Sequence, residues 1–288
     1  MPERYALPEN DERTTLREGV VRALRAVPMH FSSTINIEGL SATDLFAMNT
    51  LLGGAIEDQT VATLNNATRA IWDPEGRWAD FEFKRYAESF PDVRLECNNG
   101  EIPLIGIELK GWYLLAKEQE PSFRFKASAN AMTVWDLIAV FPWSLSNVLS
   151  GTPVLESPFI EQAKYAADLR TYYWENRRPN AQRVEHPDTH PYPEARSAYS
   201  DIVHDDGGGN FGRIARIRGL MDDWVNDTMR VNLAGIEVRW WVQFLKLFDE
   251  RGDEESIRDG FERLARSVGK DSQWTEEIIH HVTRIMEM

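Results

Sequence analysis

Three side chains have the types and spacing to hold a metal ion against a phosphate: Asp92, Glu108 and Lys110. Glu108 and Lys110 stand two apart in Ile105-Gly106-Ile107-Glu108-Leu109-Lys110-Gly111-Trp112. On a strand such residues point to one face, while Ile105, Ile107 and Leu109 point to the other and anchor it in a core. Asn99-Gly100 supplies the residues of a tight hairpin turn, so Asp92 is expected on the partner strand, closing the cluster. Two carboxylates and an ammonium at one point are costly for structure alone, because like charges repel and buried charges lose hydration. They suit a divalent cation that promotes cleavage of a phosphodiester. Mg²⁺ takes a few carboxylates and keeps waters and phosphate oxygens as its remaining ligands.

Elements on both sides must position this hairpin. Apolar residues at helical spacing predict a short helix around Thr15–Ala26 and a longer one from Leu45 to Ile71, opened by a cap at Thr43 or Asp44. Asp73-Pro74-Glu75-Gly76 ends it. After the hairpin an extended run starts at Pro121, and Asp136–Phe141 reads as a buried central strand. Phe159 to Arg178 has the pattern of a helix opened by Pro158 and stopped by Pro179. Residues 179–209 read as loop or linker. Helices are expected over Gly235–Glu250, Glu254–Val268 and Trp274–Glu287.

Pro91-Asp92 followed by Glu108-Leu109-Lys110 resembles the motif of the PD-(D/E)xK nuclease superfamily, to which most type II restriction endonucleases belong. The resemblance covers mainly residues 45–145. It implies an α/β (α+β) fold with a mixed central sheet flanked by helices, a restriction-endonuclease-like core, and here a helical C-terminal region. The expected division is a catalytic core over 1–180 and a region over 181–288 for DNA recognition and dimerisation. The resemblance also implies that Asp92, Glu108 and the Leu109 carbonyl ligate Mg²⁺. A metal-bound water would attack the phosphate, and Lys110 would orient it and stabilise the developing charge. Glu57, on the helix before the hairpin, is a further candidate catalytic residue because the superfamily often places a glutamate there. The implied activity is hydrolysis of double-stranded DNA to 5′-phosphate and 3′-hydroxyl ends. Cutting both strands at a twofold-symmetric site requires a homodimer, and the host would need a companion methyltransferase.

Composition narrows the alternatives. The 288 residues carry 32 basic and 46 acidic side chains, a net charge of −14. This disfavours indiscriminate nucleic-acid binding, which depends on phosphate neutralisation, yet a basic cleft can lie under an acidic exterior. No apolar run is long enough to span a membrane. The opening Met-Pro-Glu-Arg-Tyr has no signal-peptide core, and Cys97 is the only cysteine, so a cytoplasmic location is expected. No P-loop or dinucleotide fingerprint is present, so no nucleotide cofactor is expected. His186 and His190 are flanked by prolines, which removes the helical spacing of a metal pair. Candidate DNA contacts are Asn210, Arg213, Arg216 and Arg218 beyond the bend Gly207–Gly212, with Arg124 and Lys126 after the hairpin. Two rival functions stand beside restriction. One is a repair or recombination nuclease of the same superfamily that recognises DNA structure; the other is a non-catalytic acidic binding protein on the same fold.

Overall fold

The computed structural model describes residues 1–39, 52–86, 89–97, 103–193, 196–247 and 254–267, with 269, 271, 273, 276, 277 and 280 beyond them. Helix α1 (Glu12–His30) is longer than the predicted stretch. Asp11 caps it by accepting from the Arg13 N–H, and Leu16, Val20, Ala23, Leu24 and Val27 form its buried stripe. The expected helix over Leu45–Ile71 is described from its middle onward. It consists of α2 (Gly53–Asn65) and α3 (Arg69–Trp72), while the cap at Thr43 or Asp44 lies outside the described residues. The break between them has a cause in Asn65, whose side-chain amide exchanges two hydrogen bonds with the backbone of Phe83. That contact pairs the helix end with an edge strand that the sequence reading missed.

This strand, β1 (Phe81–Arg85), opens a mixed sheet with β2 (Val93–Cys97), β3 (Ile105–Tyr113), β4 (Leu137–Leu145), β5 (Pro153–Leu155) and β6 (Phe159–Gln162). β1, β2 and β3 form an antiparallel meander, and β4 runs parallel to β3. The hairpin is therefore as expected, although its Asn98–Gly100 turn lies outside the described residues. β4 is buried along its whole length, as its continuous apolar sequence implies for a central strand. Its other edge is covered by β5 and β6, whose registers differ by one residue. The extra residue falls at Ser157-Pro158, where proline has no N–H to donate, giving a β-bulge. The expected helix from Phe159 thus begins four residues late. Phe159–Gln162 instead satisfies the backbone groups along the edge of β4, and α4 covers Ala163–Asn176.

The run after Pro121 is extended but joins no strand of the sheet. Its backbone pairs with Tyr199, Asp201 and Gly212. A short α5 (Arg196–Tyr199) and α6 (Asp222–Thr228) follow. A small hairpin of β7 (Asn232–Leu233) and β8 (Ile236–Glu237) takes the start of the expected Gly235–Glu250 helix, leaving α7 over Val238–Leu247. Helix α8 spans Glu254–Ser267, and most of Trp274–Glu287 lies outside the described residues. Ile214, Ile217, Met221, Val238 and Val242 belong to the same hydrophobic cluster as β3 and β4, so the core continues across residue 180. Trp112 of β3, on the face of Glu108 and Lys110, meets Trp224 of α6 with ring centroids 5.5 Å apart. No described helix is long and apolar enough to cross a membrane.

Candidate active site

Strand register brings the motif together. Val93 pairs with Ile107 and Arg94 with Gly106, so the next step along the two strands sets Asp92 opposite Glu108, with both side chains on one face. Lys110 follows on the same face. Its ammonium nitrogen lies 2.6 Å from Glu108 Oε1 and 3.4 Å from Asp92 Oδ2. Asp92 Oδ2 also accepts the Leu109 N–H at 2.8 Å. In a strand the N–H and C=O of one residue face the same neighbour. The Leu109 carbonyl therefore faces the edge where Asp92 stands.

The electrostatics are those of a site short of positive charge. Two carboxyl groups and one ammonium share a partly buried site, which is net negative once Glu108 is ionised. Burial, then the charge of Asp92, push the Glu108 carboxyl up to about 7, against the pull of Lys110. Burial lowers the affinity of Lys110 for its proton, but Glu108 and Asp92 outweigh it and hold the ammonium above the ordinary lysine value. Lys110 thus stays charged at neutral pH. Glu108 Oε2 is buried without a hydrogen-bond partner. An orphaned carboxylate oxygen beside a second carboxylate fits a cation.

A clamp that sequence reasoning missed holds Asp92 in place. The Phe90–Pro91 peptide is cis, and Arg94 donates to the Phe90 carbonyl at 2.8 Å. Arg94 is itself sandwiched by Tyr86 at 4.2 Å and Tyr192 at 5.6 Å. Pro91 packs against Gly106 so closely that a Cβ there would lie 2.4 Å from the proline ring. Behind it the buried Asp136 carboxylate accepts from the Gly106 N–H at 2.7 Å, the Tyr192 hydroxyl at 2.7 Å and the Thr133 N–H at 2.6 Å. Burial pushes Asp136 up to about 6 despite these bonds. The available signals were a glycine inside a strand, which marks close approach of another group, and an aspartate at the mouth of an apolar run.

Glu57 pairs with Arg85. Its Oε2 accepts from Arg85 Nε at 2.7 Å, and Arg85 also lies 3.4 Å from Asp58. Hydrogen bonding to Glu57 raises the Arg85 value, with a smaller contribution from the charge of Asp92. Among the described residues no three His, Cys, Asp or Glu side chains form a group able to hold a metal ion. The carboxylate set is Asp92 and Glu108. Glu96 accepts from the Tyr86 hydroxyl at 2.7 Å and stands apart from the pair.

The expected DNA contacts divide into two groups. Arg124 and Lys126 both turn to Asp206, at 3.7 and 3.6 Å. Asn210, Arg213 and Arg216 line one cavity beside α4, and exposed Arg218 is not among its lining residues. No family model matches the chain, and no curated protein matches its sequence.

Proposed function

We propose that the chain is a Mg²⁺-dependent endodeoxyribonuclease with a restriction-endonuclease-like core, acting on double-stranded DNA as a homodimer. One observation carries this reading: the Lys110 ammonium lies between Asp92 and Glu108 while an oxygen of Glu108 has no partner. The three side chains are one charge short of neutrality. A divalent cation would turn that deficit into a single positive charge, which one phosphodiester anion neutralises. Asp92, Glu108 and the Leu109 carbonyl would hold the ion. When bound, Mg²⁺ supplies an acidified water and charge neutralisation at the scissile phosphate. Lys110, locked in its charged form, orients the attacking oxygen and stabilises the negative charge that builds on the phosphate. The Arg94–Tyr192–Asp136 clamp keeps Asp92 in register, which limits motion of the site.

The helix before the sheet, the hairpin, the parallel strand β4 and the following helix support the same reading, because they stand in the order that the resemblance implies. The test is incubation of purified protein with plasmid and phage DNA. Discrete fragments are expected with Mg²⁺, and none with EDTA or with Glu108→Ala. Cleavage that survives either change, or no cleavage with Mg²⁺ or Mn²⁺, overturns the proposal.

A further inference from the structure

A second constellation lies between α4 and the bend that follows Gly207. It is a cavity of about 150 Å³ whose walls include Arg170, Trp174, Arg178, Asn210, Arg213 and Arg216. Four arginines at one cavity are exceptional in a chain of net charge −14. Two of them are balanced: Arg170 pairs with buried Asp201, and Arg216 with Glu120 at 2.6 Å. Arg178 and Arg213 have no carboxylate within ion-pair distance among the described residues. Arg178 is instead placed over the Trp174 ring at 3.6 Å, and the Arg213 side chain donates to the Gly209 carbonyl at 3.3 Å. Asn210 accepts from Arg216 at 2.6 Å and so fixes that guanidinium at the wall. The bend depends on Gly209, at φ 88°, where a Cβ would collide with the Arg124 guanidinium.

Two donors deepen the asymmetry. Nε of Arg170 and Nε1 of Trp174 are buried without a hydrogen-bond partner, and their residues are 2% and 4% exposed. The ring of Phe211 touches both side chains, but an aromatic face is only a weak acceptor. Two unbalanced guanidiniums at the wall of one cavity call for an anion with several acceptor oxygens. Size selects which one. The cavity is below the range of about 300–1,000 Å³ typical of pockets that enclose a whole small molecule. It has room for a few water-sized groups, enough for a single phosphate.

We propose that this cavity binds one phosphate group, with Arg178 and Arg213 supplying the charge. Two unbalanced guanidiniums match the two charges of a phosphate monoester. Its source is either free phosphate or the 5′ end of a nucleic acid. Only the second source rests on the nuclease reading.

The experiment is titration calorimetry in EDTA with inorganic phosphate, then with a short DNA duplex carrying 5′-phosphate or 5′-hydroxyl ends. Binding of phosphate is expected, weakened at least about tenfold by Arg213→Ala and by Arg178→Gln, and unchanged by Arg230→Ala on the exposed surface. Each variant is checked for folding by circular dichroism. Preference for the 5′-phosphate duplex assigns the group to a DNA end. Equal binding of both duplexes, still lost in Arg213→Ala, overturns the monoester assignment, because a backbone phosphodiester carries a single charge. Phosphate binding without any duplex binding keeps the cavity and removes support from the nuclease reading. No binding of any of the three, or binding that both arginine variants leave intact, overturns the proposal.

Discussion

The carboxylate cluster on β2 and β3 and the arginine cavity beside α4 are mirror images in charge. At the first, the unmatched group is an acceptor, Glu108 Oε2; at the second, the unmatched groups are donors, Arg170 Nε and Trp174 Nε1. A buried acceptor beside spare negative charge calls for a cation, and buried donors beside spare positive charge call for an anion. The sites also differ in construction. The first is set by strand register over a short stretch of chain. The second joins a helix to a bend that follows it much later in the sequence. One polypeptide therefore prepares opposite environments by different means.

The largest expected effect separates them outright. Glu108→Ala or Asp92→Ala is expected to lower DNA cleavage by about 10³-fold, the upper end for loss of a preorganised charge at a reaction centre. Phosphate binding at the cavity should stay within twofold. A calorimetric trace in which Glu108→Ala also abolishes phosphate binding would merge the two sites and break the comparison. Melting measured with and without Mg²⁺ gives a readout independent of turnover, because an ion that binds only the folded state raises its stability. That rise should vanish in either variant.

The support of the acidic site is expected to show in stability against pH. Asp136 is pushed by burial up to about 6 in the folded protein, against about 3.9 in an unfolded chain. A carboxyl with a raised folded value contributes stability that is complete below the unfolded value and lost as pH rises through the folded one. The stability of the wild type relative to Asp136→Asn should therefore fall by about 2 kcal/mol between pH 4 and pH 7. Urea midpoints across that range measure it, and a constant difference would remove Asp136 from its role as a buried, proton-linked support.

Next comes Lys110→Met, expected to lower kcat by about 10²-fold with KM unchanged. Its folding should hardly change, because Glu108, already pushed up to about 7, takes a proton when the ammonium is removed. Lys110→Arg should not restore the rate, since a planar fork cannot replace a compact ammonium in a 2.6 Å contact. The cavity gives the opposite kinetic signature. Arg213→Ala should raise KM about tenfold and leave kcat in place, because it removes a charged contact that holds DNA before and during the reaction alike. A fall in kcat instead would place the cavity at the reacting phosphate.

What could be read in the sequence follows the same division. Glu108, Lys110 and the alternating apolar residues Ile105, Ile107 and Leu109 announce a strand, so the carboxylate and lysine of β3 were legible from local pattern. β4 was legible because a strand buried on both faces is continuously apolar. Tyr192, Arg94 and Asp136 were not, because their partnership exists only after a distant loop has docked on the sheet. β1 was missed because Phe81–Arg85 is short and carries three charges in five residues. β6 was missed because Phe159–Gln162 shares the apolar spacing of the helix it precedes, and only the free edge of β4 decides between the two. Asn210, Arg213 and Arg216 were named from residue type, but Arg178 and the orphaned donors of α4, which make the cavity distinctive, have no local signal at all.

The smallest effect tests where the acidic site ends. Glu57 was expected near the metal, yet its carboxylate accepts from Arg85 at 2.7 Å, and Arg85 also feels the charge of Asp92. Glu57 and Asp92 therefore both act on the Arg85 guanidinium. Glu57→Gln keeps an acceptor for Arg85 and removes one charge at a partly screened position, where an ion pair is worth at most about 1 kcal/mol. Cleavage should change by less than about threefold, and the Mg²⁺ dependence should not move. A tenfold rise in the Mg²⁺ concentration needed for half-maximal cleavage would instead make Glu57 a third carboxylate of the metal site, with Arg85 as a gate that swings aside when the ion binds.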